Sequence, residues 1–277
     1  TDVRDNGVSV SFTKDLANGC FSLNQAPTGR ITCDAQGAKT TLLLSNAKDI
    51  ITWLLSTFAN ESNLVDLSSL PNYALGIYQK TPGKVRALID WICESIHAFH
   101  FYSRSGEFVA RPIPLITNTP TGILTLDDSI EDSVRVRKVY DPASKVTVTY
   151  DKNYTIQQDG LAGSLTAAER EAYGQANKAV EVVNSVPDHP DAEAVTVDTC
   201  LVNQADALIV ANMKAAALSE RRKVYEIEAL ATPFLFELGQ EIQLNYWDYG
   251  FENGASGIIV ALDDDPVDGE VTVELWR

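Results

Sequence analysis

The sequence predicts an α+β fold built on antiparallel β-sheets. Short segments with period-two alternation open the chain, two amphipathic helices follow between residues 46 and 97, and the part from Gly122 onward is β-rich. Because helices and strands do not alternate regularly, the parallel sheet of a βαβ fold is not expected. Hydrophobic residues make up 45% of the 277 residues, which is enough for a substantial core in one large domain or two ordinary ones.

The N-terminal part is predicted to form short strands separated by turns. Alternating apolar residues on both sides of the segment Asn24–Gly29 indicate strands there. If that segment is a hairpin loop, Cys20 lies opposite Cys33, and a disulfide between them is geometrically possible. A framework of disulfides is not expected, because the chain is long, has four cysteines and lacks CxxC spacing.

Each of the two predicted helices has one apolar stripe. Ser45 or Asn46 can cap the first helix, and Thr81-Pro82 is a suitable start for the second. Spacings of three and four residues predict that both stripes face the core. The stripes consist of Ile50, Ile51, Leu54, Leu55 and Phe58 in the first helix and of Val85, Leu88, Ile89, Ile92 and Ile96 in the second.

A β-hairpin is predicted directly after the second helix. Its strands are Ala98–Tyr102 and Glu107–Arg111, and its turn ends in Gly106. The proline-rich segment 112–120 then interrupts the chain and is the best internal boundary candidate.

Strand patterns predominate after this boundary. The polar stretch Leu165–Val180 is predicted to be a short exposed helix, and a longer helix is predicted from Ala205 to about Leu218. Leu238-Gly239-Gln240 is a predicted turn. The predicted strands lie at Val134–Val139, Val146–Tyr150, Val224–Leu230, Ile242–Trp247, Ile258–Leu262 and Val271–Trp276.

The charge of the chain is unevenly distributed. The formal net charge is −16; residues 1–138 carry 13 basic and 14 acidic side chains, whereas residues 139–277 carry 9 and 24. This balance excludes wrapping by nucleic acid and docking on anionic membranes as the main task. No apolar run is long enough for a membrane-spanning helix and no signal peptide opens the chain, so we expect no membrane anchor. Since Met213 is the only methionine, we expect a part of a longer protein or a processed chain.

Common catalytic and phosphate-binding motifs are missing from the sequence. It contains no nucleotide-binding loop, no dinucleotide fingerprint in its strand-to-helix context and no G-x-S-x-G. Cys93 and His97 share a helical face and His100 follows the helix, so these three residues could reach one metal ion, but no fourth ligand is evident. Alternatively, Cys93 is a small core residue and the histidines lie at the edge of the helix–hairpin junction. We predict no catalytic, cofactor-binding or metal-binding residues and no cofactor.

Two groups of acidic residues offer alternatives to this prediction. The segment Asp263–Glu270 is rich in oxygen ligands, but Val267 occupies a ligand position of an EF-hand loop, so a solvated hairpin tip is the simpler interpretation and calcium the alternative. The second group consists of Asp127, Asp128, Glu131 and Asp132. The paired carboxyl groups of a glycoside hydrolase need a raised pKa on one of them and a fixed separation, and the sequence shows neither condition for this group.

Several motifs follow one another in a characteristic order along the chain. In the first half they are "GRITCDAQG" at Gly29–Gly37, "NAKDIITWLL" at Asn46–Leu55 and "ALIDWICESIHAFHFYSRSGEFVARP" at Ala87–Pro112. In the second half they are "VRVRKVYDPASKVTVTYDKNYTIQ" at Val134–Gln157, "LTAAERE" at Leu165–Glu171, "ERRKVYEIEALATPFLFELGQEIQLNY" at Glu220–Tyr246 and the final "VTVELW". The motifs are structural and degenerate, but in their order over most of the chain the sequence resembles phage tail-hub proteins.

The resemblance implies a central tail-hub, or tail-tip, protein of a long-tailed phage or prophage, similar to the baseplate hub of contractile-tailed phages. Such proteins combine tube-lining β-barrel domains with small α/β insertions and commonly form trimers. It implies the end of an upstream hub barrel at 1–36, a helix–hairpin α/β domain at 37–118 and a second, barrel-like hub domain with a helical insertion at 119–277. The implied place is the virion tail, assembled in the bacterial cytoplasm, and the implied partners are further copies, tail-tip and tail-tube proteins.

Three functional hypotheses follow. The first is a structural, non-enzymatic component that joins the tail tube to the tip and lets DNA pass; its acidic second half would repel phosphates within a Debye length of about 8 Å. The second is a cell-wall hydrolase domain that uses carboxylates such as Asp264 or Glu131. The third is a glycan- or receptor-binding module. Its aromatic residues would be Tyr246, Trp247, Tyr249 and Phe251, although we favour their packing at a sheet end or subunit contact.

Overall fold

The α+β class predicted from the sequence is confirmed by the structure. A computed structural model describes residues 2–15, 18–35, 37, 43–61, 65–130 and 132–277, about 19% of the chain being helical and 35% strand. The helices are α1 (Ala47–Leu54), α2 (Val85–Ser95), α3 (Ala167–Gly174) and α4 (Gln204–Ala217), with a π-helical turn at Leu55–Ala59 and a 3₁₀ turn at Thr232–Leu235.

The strands belong to several separate sheets. In chain order they are β1 (Asp2–Asp5), β2 (Val8–Ser9), β3 (Phe12–Asp15), β4 (Cys20–Leu23), β5 (Ile31–Asp34), β6 (Val65–Asp66), β7 (Ala98–Tyr102), β8 (Phe108–Pro112), β9 (Gly122–Leu124), β10 (Arg135–Tyr140), β11 (Lys145–Tyr150), β12 (Lys178–Val183), β13 (Ala194–Val197), β14 (Arg222–Leu230), β15 (Glu241–Leu244), β16 (Ala255–Asp265) and β17 (Glu270–Trp276).

The largest sheet has six strands in the order β10-β14-β17-β16-β15-β9, with only the β15–β9 pair parallel. Three-stranded sheets have the orders β2-β1-β5, β6-β8-β7 and β12-β11-β13, and β3 and β4 form a two-stranded ribbon. Over the residues that the structure describes, none of these sheets closes into a barrel.

Buried side chains form two hydrophobic cores in the part of the chain that the structure describes. The mixed core unites α1, α2, the β6-β8-β7 sheet, the β12-β11-β13 sheet and α4 around residues such as Ile51, Ile92 and Val210. The sheet core lies against one face of the six-stranded sheet and includes Leu124 and Phe251. The chain leaves the six-stranded sheet after β10, builds β11 to α4 and returns at β14. The predicted domain limits remain predictions, and residue 36 lies outside the described residues.

The start of α1 follows the predicted capping chemistry. The Asn46 side chain accepts a hydrogen bond from the Asp49 backbone N–H at 2.9 Å. The stripe prediction was right for Ile51 and Leu55, which are buried, but wrong for Phe58, which is 60% exposed. The reason is the π-helical turn after Leu54, which shifts the helical phase so that Phe58 no longer faces the core.

Two further local predictions need correction. The second helix begins at Val85 and not at Thr81-Pro82, with Lys84 as its N-cap residue. The helix predicted over 165–180 is shorter, because 178–183 is strand β12, which pairs with β11. Gln175, the C-cap of α3, is already extended, which ends the helix before that strand begins.

The condition under which Cys20 would lie opposite Cys33, a hairpin loop at Asn24–Gly29, is not met. Strand β4 pairs with β3, where Cys20 faces Asp15, and β5 pairs with β1, where Cys33 faces Val3. Both thiols are free and exposed. Strands β4 and β5 belong to two different sheets, because they pair with the earlier strands β3 and β1 and not with each other. The segment Asn24–Gly29 is therefore not a hairpin loop.

No helix in the described ranges is both long enough and apolar enough to cross a membrane.

Candidate functional site

Strand β10 forms one edge of the six-stranded sheet, and all six of its residues are exposed. Within the described part of the chain it pairs only with β14, and a bulge between Val136 and Lys138 leaves Arg137 outside the regular ladder. Val139 is 45% exposed and Tyr140 38%. An edge strand presents unpaired backbone N–H and C=O groups, and the bulge and charges of β10 restrict which strands can pair with it.

A network of ion pairs crosses the sheet from this edge. Glu226 on β14 is only 7% exposed, and its two carboxylate oxygens are bound by Arg135 and Arg137, the latter at 3.0 Å. Arg137 also contacts Glu274 on β17. Two arginines satisfy both oxygens of the buried carboxylate, so the network holds β10 against β14 and β17. The solvent face of the sheet at this edge therefore carries charges of both signs.

Arg104, in the turn between β7 and β8, connects the two cores. Its guanidinium donates to both carboxylate oxygens of Asp264 on β16, each at 2.7 Å. It also donates to the carbonyl oxygens of Phe234, at 3.1 Å, and Phe236. Hydrogen bonding from Arg104 lowers the pKa of Asp264, so this carboxylate is ionised near neutral pH. We call Arg104, Asp264 and the two carbonyl groups the Arg104 clamp.

Two further contacts fix the cores relative to each other. Glu241 on β15 accepts hydrogen bonds from the backbone N–H and hydroxyl of Thr117, both at 2.8 Å, and from the Thr119 N–H at 3.1 Å. Burial by itself would raise the pKa of Glu241, but these hydrogen bonds to the ionised form lower it. In addition, the ring of Phe99 on β7 lies where a Cβ on Gly239 would be. The hydrogen bonds of Thr117 and Thr119 to Glu241 thus hold the proline-rich segment against the six-stranded sheet.

The residues of the metal hypothesis do not converge. Cys93 is buried and burial raises the pKa of its thiol to about 12, whereas His100 contacts Asp90 at 2.6 Å through Nε2. Burial and then the charge of Lys214 on α4 lower the pKa of His97 to about 4, and neither of its ring nitrogens has a hydrogen-bond partner. Among the described residues, no three His, Cys, Asp or Glu side chains are grouped to hold a metal ion.

The acidic candidates have structural roles. Asp265 accepts hydrogen bonds from the N–H groups of Val267 and Asp268 at 3.0 and 3.2 Å, which shapes the predicted hairpin tip between β16 and β17. Asp128 accepts from the N–H and hydroxyl of Thr125 at 2.9 and 2.6 Å, and hydrogen bonding chiefly from the Thr125 hydroxyl lowers the pKa of Asp128. Asp127 and Asp132 are exposed, and Glu131 lies outside the described residues.

The aromatic cluster divides into two pairs. Tyr246 and Phe251 are 3% and 0% exposed and belong to the sheet core. Trp247 and Tyr249 are 57% and 42% exposed on the same turn. Packing at a sheet end is therefore confirmed for Tyr246 and Phe251, whereas a subunit contact through Trp247 and Tyr249 stays a prediction.

Sequence reasoning missed both the Arg104 clamp and the ion-pair network of β10. A signal for the network exists, since Arg135 and Arg137 alternate along one strand and Glu226 and Glu228 along another, so that each pair shares a face. The clamp joins residues 160 positions apart in the sequence, so no local pattern predicts it.

Comparisons with known proteins identify the fold. No protein-family model matches the chain. No curated protein matches it either. Among solved structures, it is similar to a protein from the virion of a native gene transfer agent particle, with a TM-score of 0.55 and 16% identity over 84% of this chain and 47% of that chain.

Two tail proteins are also similar to the chain. The tail protein from Neisseria meningitidis MC58 has a TM-score of 0.50 and 15% identity, over 84% of this chain and 67% of its own. The 43 kDa tail protein of prophage MuSo2 from Shewanella oneidensis has a TM-score of 0.50 and 13% identity, over 83% of this chain and 65% of its own. The chain thus spans about half to two thirds of the length of these proteins. The resemblance to phage tail proteins inferred from the sequence is confirmed at the level of the fold.

Proposed function

We propose that this chain is a structural, non-enzymatic part of the tail tip or baseplate hub of a phage or prophage, where it joins the tail tube to tip proteins. The observation that carries the proposal is the fold, which the chain shares over 83–84% of its length with two tail proteins and a protein of a gene transfer agent virion. Its location is then the virion tail, after assembly in the bacterial cytoplasm.

We further propose that the chain assembles as a homotrimer and contacts tail-tip and tail-tube proteins. The six-stranded sheet would be the barrel-like hub domain, and β10 would take part in the contact between copies. All six residues of β10 are exposed, and the apolar residues Val136, Val139 and Tyr140 among them support this assignment. A contact between two different edges of a sheet is heterologous, and such contacts generate rings when the rotation closes.

Passage of DNA without tight binding is also part of the proposal. Residues 139–277 carry 24 acidic against 9 basic side chains, and an acidic wall repels phosphates. The arginines of the ion-pair network at β10 reduce this repulsion of phosphates locally. Fluorescence anisotropy with a short DNA duplex tests the idea: we expect no binding even at low salt, where phosphate contacts are strongest, and saturable binding would contradict it.

The non-enzymatic assignment is supported by the state of the carboxylates. A general acid needs a raised pKa, whereas the pKa values of Asp264 and Asp128 are lowered by the groups that bind them. Both side chains shape or connect turns. Wall-lysis assays with the purified chain test this point, and clearing that depends on Asp264 would favour the hydrolase alternative.

The oligomeric state provides the main experiment. We expect light scattering to give three times the mass of the chain, and electron microscopy to show rings. Val139→Glu places a charge on the exposed edge strand and should yield monomers, whereas Val183→Glu, at a valine that is 75% exposed on β12, should leave the trimer intact. A strict monomer at high concentration, without rings, would refute the proposal.

A further inference from the structure

The turn between β15 and β16 presents two aromatic rings to solvent. Trp247 and Tyr249 are 57% and 42% exposed, while their neighbours Tyr246 and Phe251 are buried in the sheet core. The buried pair anchors the turn and the exposed pair projects from it. We call the segment from Tyr246 to Phe251 the aromatic turn.

Hydrogen bonds hold the aromatic turn in one shape. The Tyr246 N–H donates to the Phe251 carbonyl and the Phe251 N–H to the Asp248 carbonyl, both at 3.2 Å. From the end of the chain, Arg277 donates to the Gly250 carbonyl at 3.2 Å, and its guanidinium lies 4.9 Å from the centre of the Phe251 ring. A ligand that binds here meets side chains on an ordered backbone, so less entropy is lost on binding.

The backbone of Tyr249 is strained. Its φ angle is +61°, in the left-handed region that glycine and asparagine adopt readily and bulky residues rarely do. An aromatic ring at this position costs stability, and its contact with Tyr225, at 6.0 Å between ring centres, offsets only a part of that cost. Strain of this kind concentrates at functional sites, so the position points to a task for the exposed ring.

Carboxylates flank the two exposed rings. Asp248 lies between them and accepts a hydrogen bond from the Tyr249 N–H at 2.7 Å, and Glu252 accepts from the Gly250 N–H at 3.3 Å. Both side chains are therefore oriented by the turn itself. Ionised carboxylates are strong acceptors for hydroxyl groups.

We propose that Trp247 and Tyr249 form a binding site for a neutral pyranose ring of a polysaccharide. The C–H face of a pyranose is apolar and stacks on an aromatic ring, while its equatorial hydroxyls donate to neighbouring carboxylates, here those of Asp248 and Glu252. Anionic sugars are disfavoured because residues 139–277 are strongly acidic. This activity goes beyond the proposed structural role and does not depend on it.

A protein partner fits the aromatic turn less well. The core of a protein interface is depleted in Asp and Glu, yet Asp248 and Glu252 lie within a few residues of both rings in the sequence. Two half-exposed rings on one turn also offer far less area than a stable protein interface buries, whereas they suffice for one or two sugar units.

The experiment uses the complete 277-residue chain with three neutral probes, chitohexaose, cellohexaose and maltohexaose. Saturation-transfer NMR identifies the sugar protons in contact with the protein, and a tryptophan fluorescence titration gives the affinity. We expect at least one probe to bind, with Trp247→Ala and Tyr249→Asn each weakening it at least tenfold. Asparagine tolerates the left-handed backbone, so Tyr249→Asn removes the ring and keeps the turn. Tyr78→Ala, at a tyrosine that is 59% exposed elsewhere, is the control and should bind as the unaltered chain does.

Three results would overturn the proposal. No binding of any probe at millimolar concentration excludes a site for neutral pyranoses. Unchanged affinity in both folded variants shows that the sugar binds elsewhere. A smaller assembly mass in light scattering of the two variants, without loss of sugar binding, assigns the turn to a protein contact. Since the mass of the unaltered chain is measured separately, failure of the sugar site and failure of the hub assignment are distinguishable.

Discussion

Replacing Arg104 by alanine tests whether the clamp holds the two cores together. Arg104 lies in the β7–β8 turn, next to the mixed core, and its partners Asp264, Phe234 and Phe236 belong to the sheet core or its rim. The substitution removes the bidentate ion pair and leaves two carbonyl groups without this donor. Because the two cores are otherwise unchanged, the loss should act on their connection.

The magnitude follows from the exposure of the groups. The side chains of Arg104 and Asp264 are 29% and 31% exposed, so their ion pair contributes about 1 kcal/mol. Each charge-assisted hydrogen bond to a carbonyl contributes about 1–2 kcal/mol, and Phe236 is buried, which makes the loss of its donor costly. We expect Arg104→Ala to lower the free energy of unfolding by about 3–5 kcal/mol, which for a chain of this size lowers Tm by about 6–10 °C.

Differential scanning calorimetry and hydrogen exchange measure the effect. Exchange should accelerate in residues 233–236 and at the β16–β17 tip, and not in α4. Arg104→Lys keeps the charge without the planar fork and should lose about half as much stability. Arg86→Ala, at an exposed arginine on α2, is the control and should change the free energy by less than about 0.5 kcal/mol. An Arg104→Ala variant that melts like the control, with no coupling to Asp264→Ala in a double-mutant cycle, would refute the reasoning.

Three further substitutions test other parts of the fold. Gly239→Ala forces a Cβ into the ring of Phe99 and should cost about 2–3 kcal/mol in a thermal melt; Gly106→Ala, with the same φ of +80° and open space, measures the backbone part alone. Burial lowers the pKa of His97 in the folded chain to about 4, from an ordinary value of 6.5. Between pH 6.5 and pH 4 the unfolded chain therefore binds a proton that the folded chain does not, and the free energy of unfolding falls by up to about 3 kcal/mol as the pH is lowered through this range. His97→Asn should flatten this pH dependence of Tm, and an unchanged slope would contradict the assignment. Thr166→Ala breaks the capping box of α3 and costs about 1 kcal/mol locally; since α3 buries no residue, faster exchange in α3 without a change in Tm is expected, and slow exchange there would argue against the cap.

Local patterns predicted most secondary elements because burial and capping act over a few residues. The stripe of α2 places Ile89, Ile92 and Ile96 in the mixed core, and the Asn46 cap begins α1. Where the pattern was ambiguous, tertiary pairing decided: residues 178–183 form a strand because β11 offers them a partner, although the preceding residues favour a helix.

The candidate sites show the same division. Sequence singled out the aromatic turn, because four aromatic residues near one turn stand out in any context, but only packing in the sheet core decided that Tyr246 and Phe251 are the two buried rings. The Arg104 clamp was invisible to sequence reasoning, since the energy of an ion pair depends on distance in space and not along the chain.

By itself, the sequence determined the α+β class, the cores' apolar residues and the resemblance to phage tail proteins, since periodicity and motif order are properties of the chain. Only the tertiary structure decided that Cys20 and Cys33 lie in different sheets, that Phe58 is exposed and that β10 is an edge strand. The first and third outcomes depend on which distant segments pair when the two cores close, and the exposure of Phe58 depends on the π-helical turn that follows Leu54.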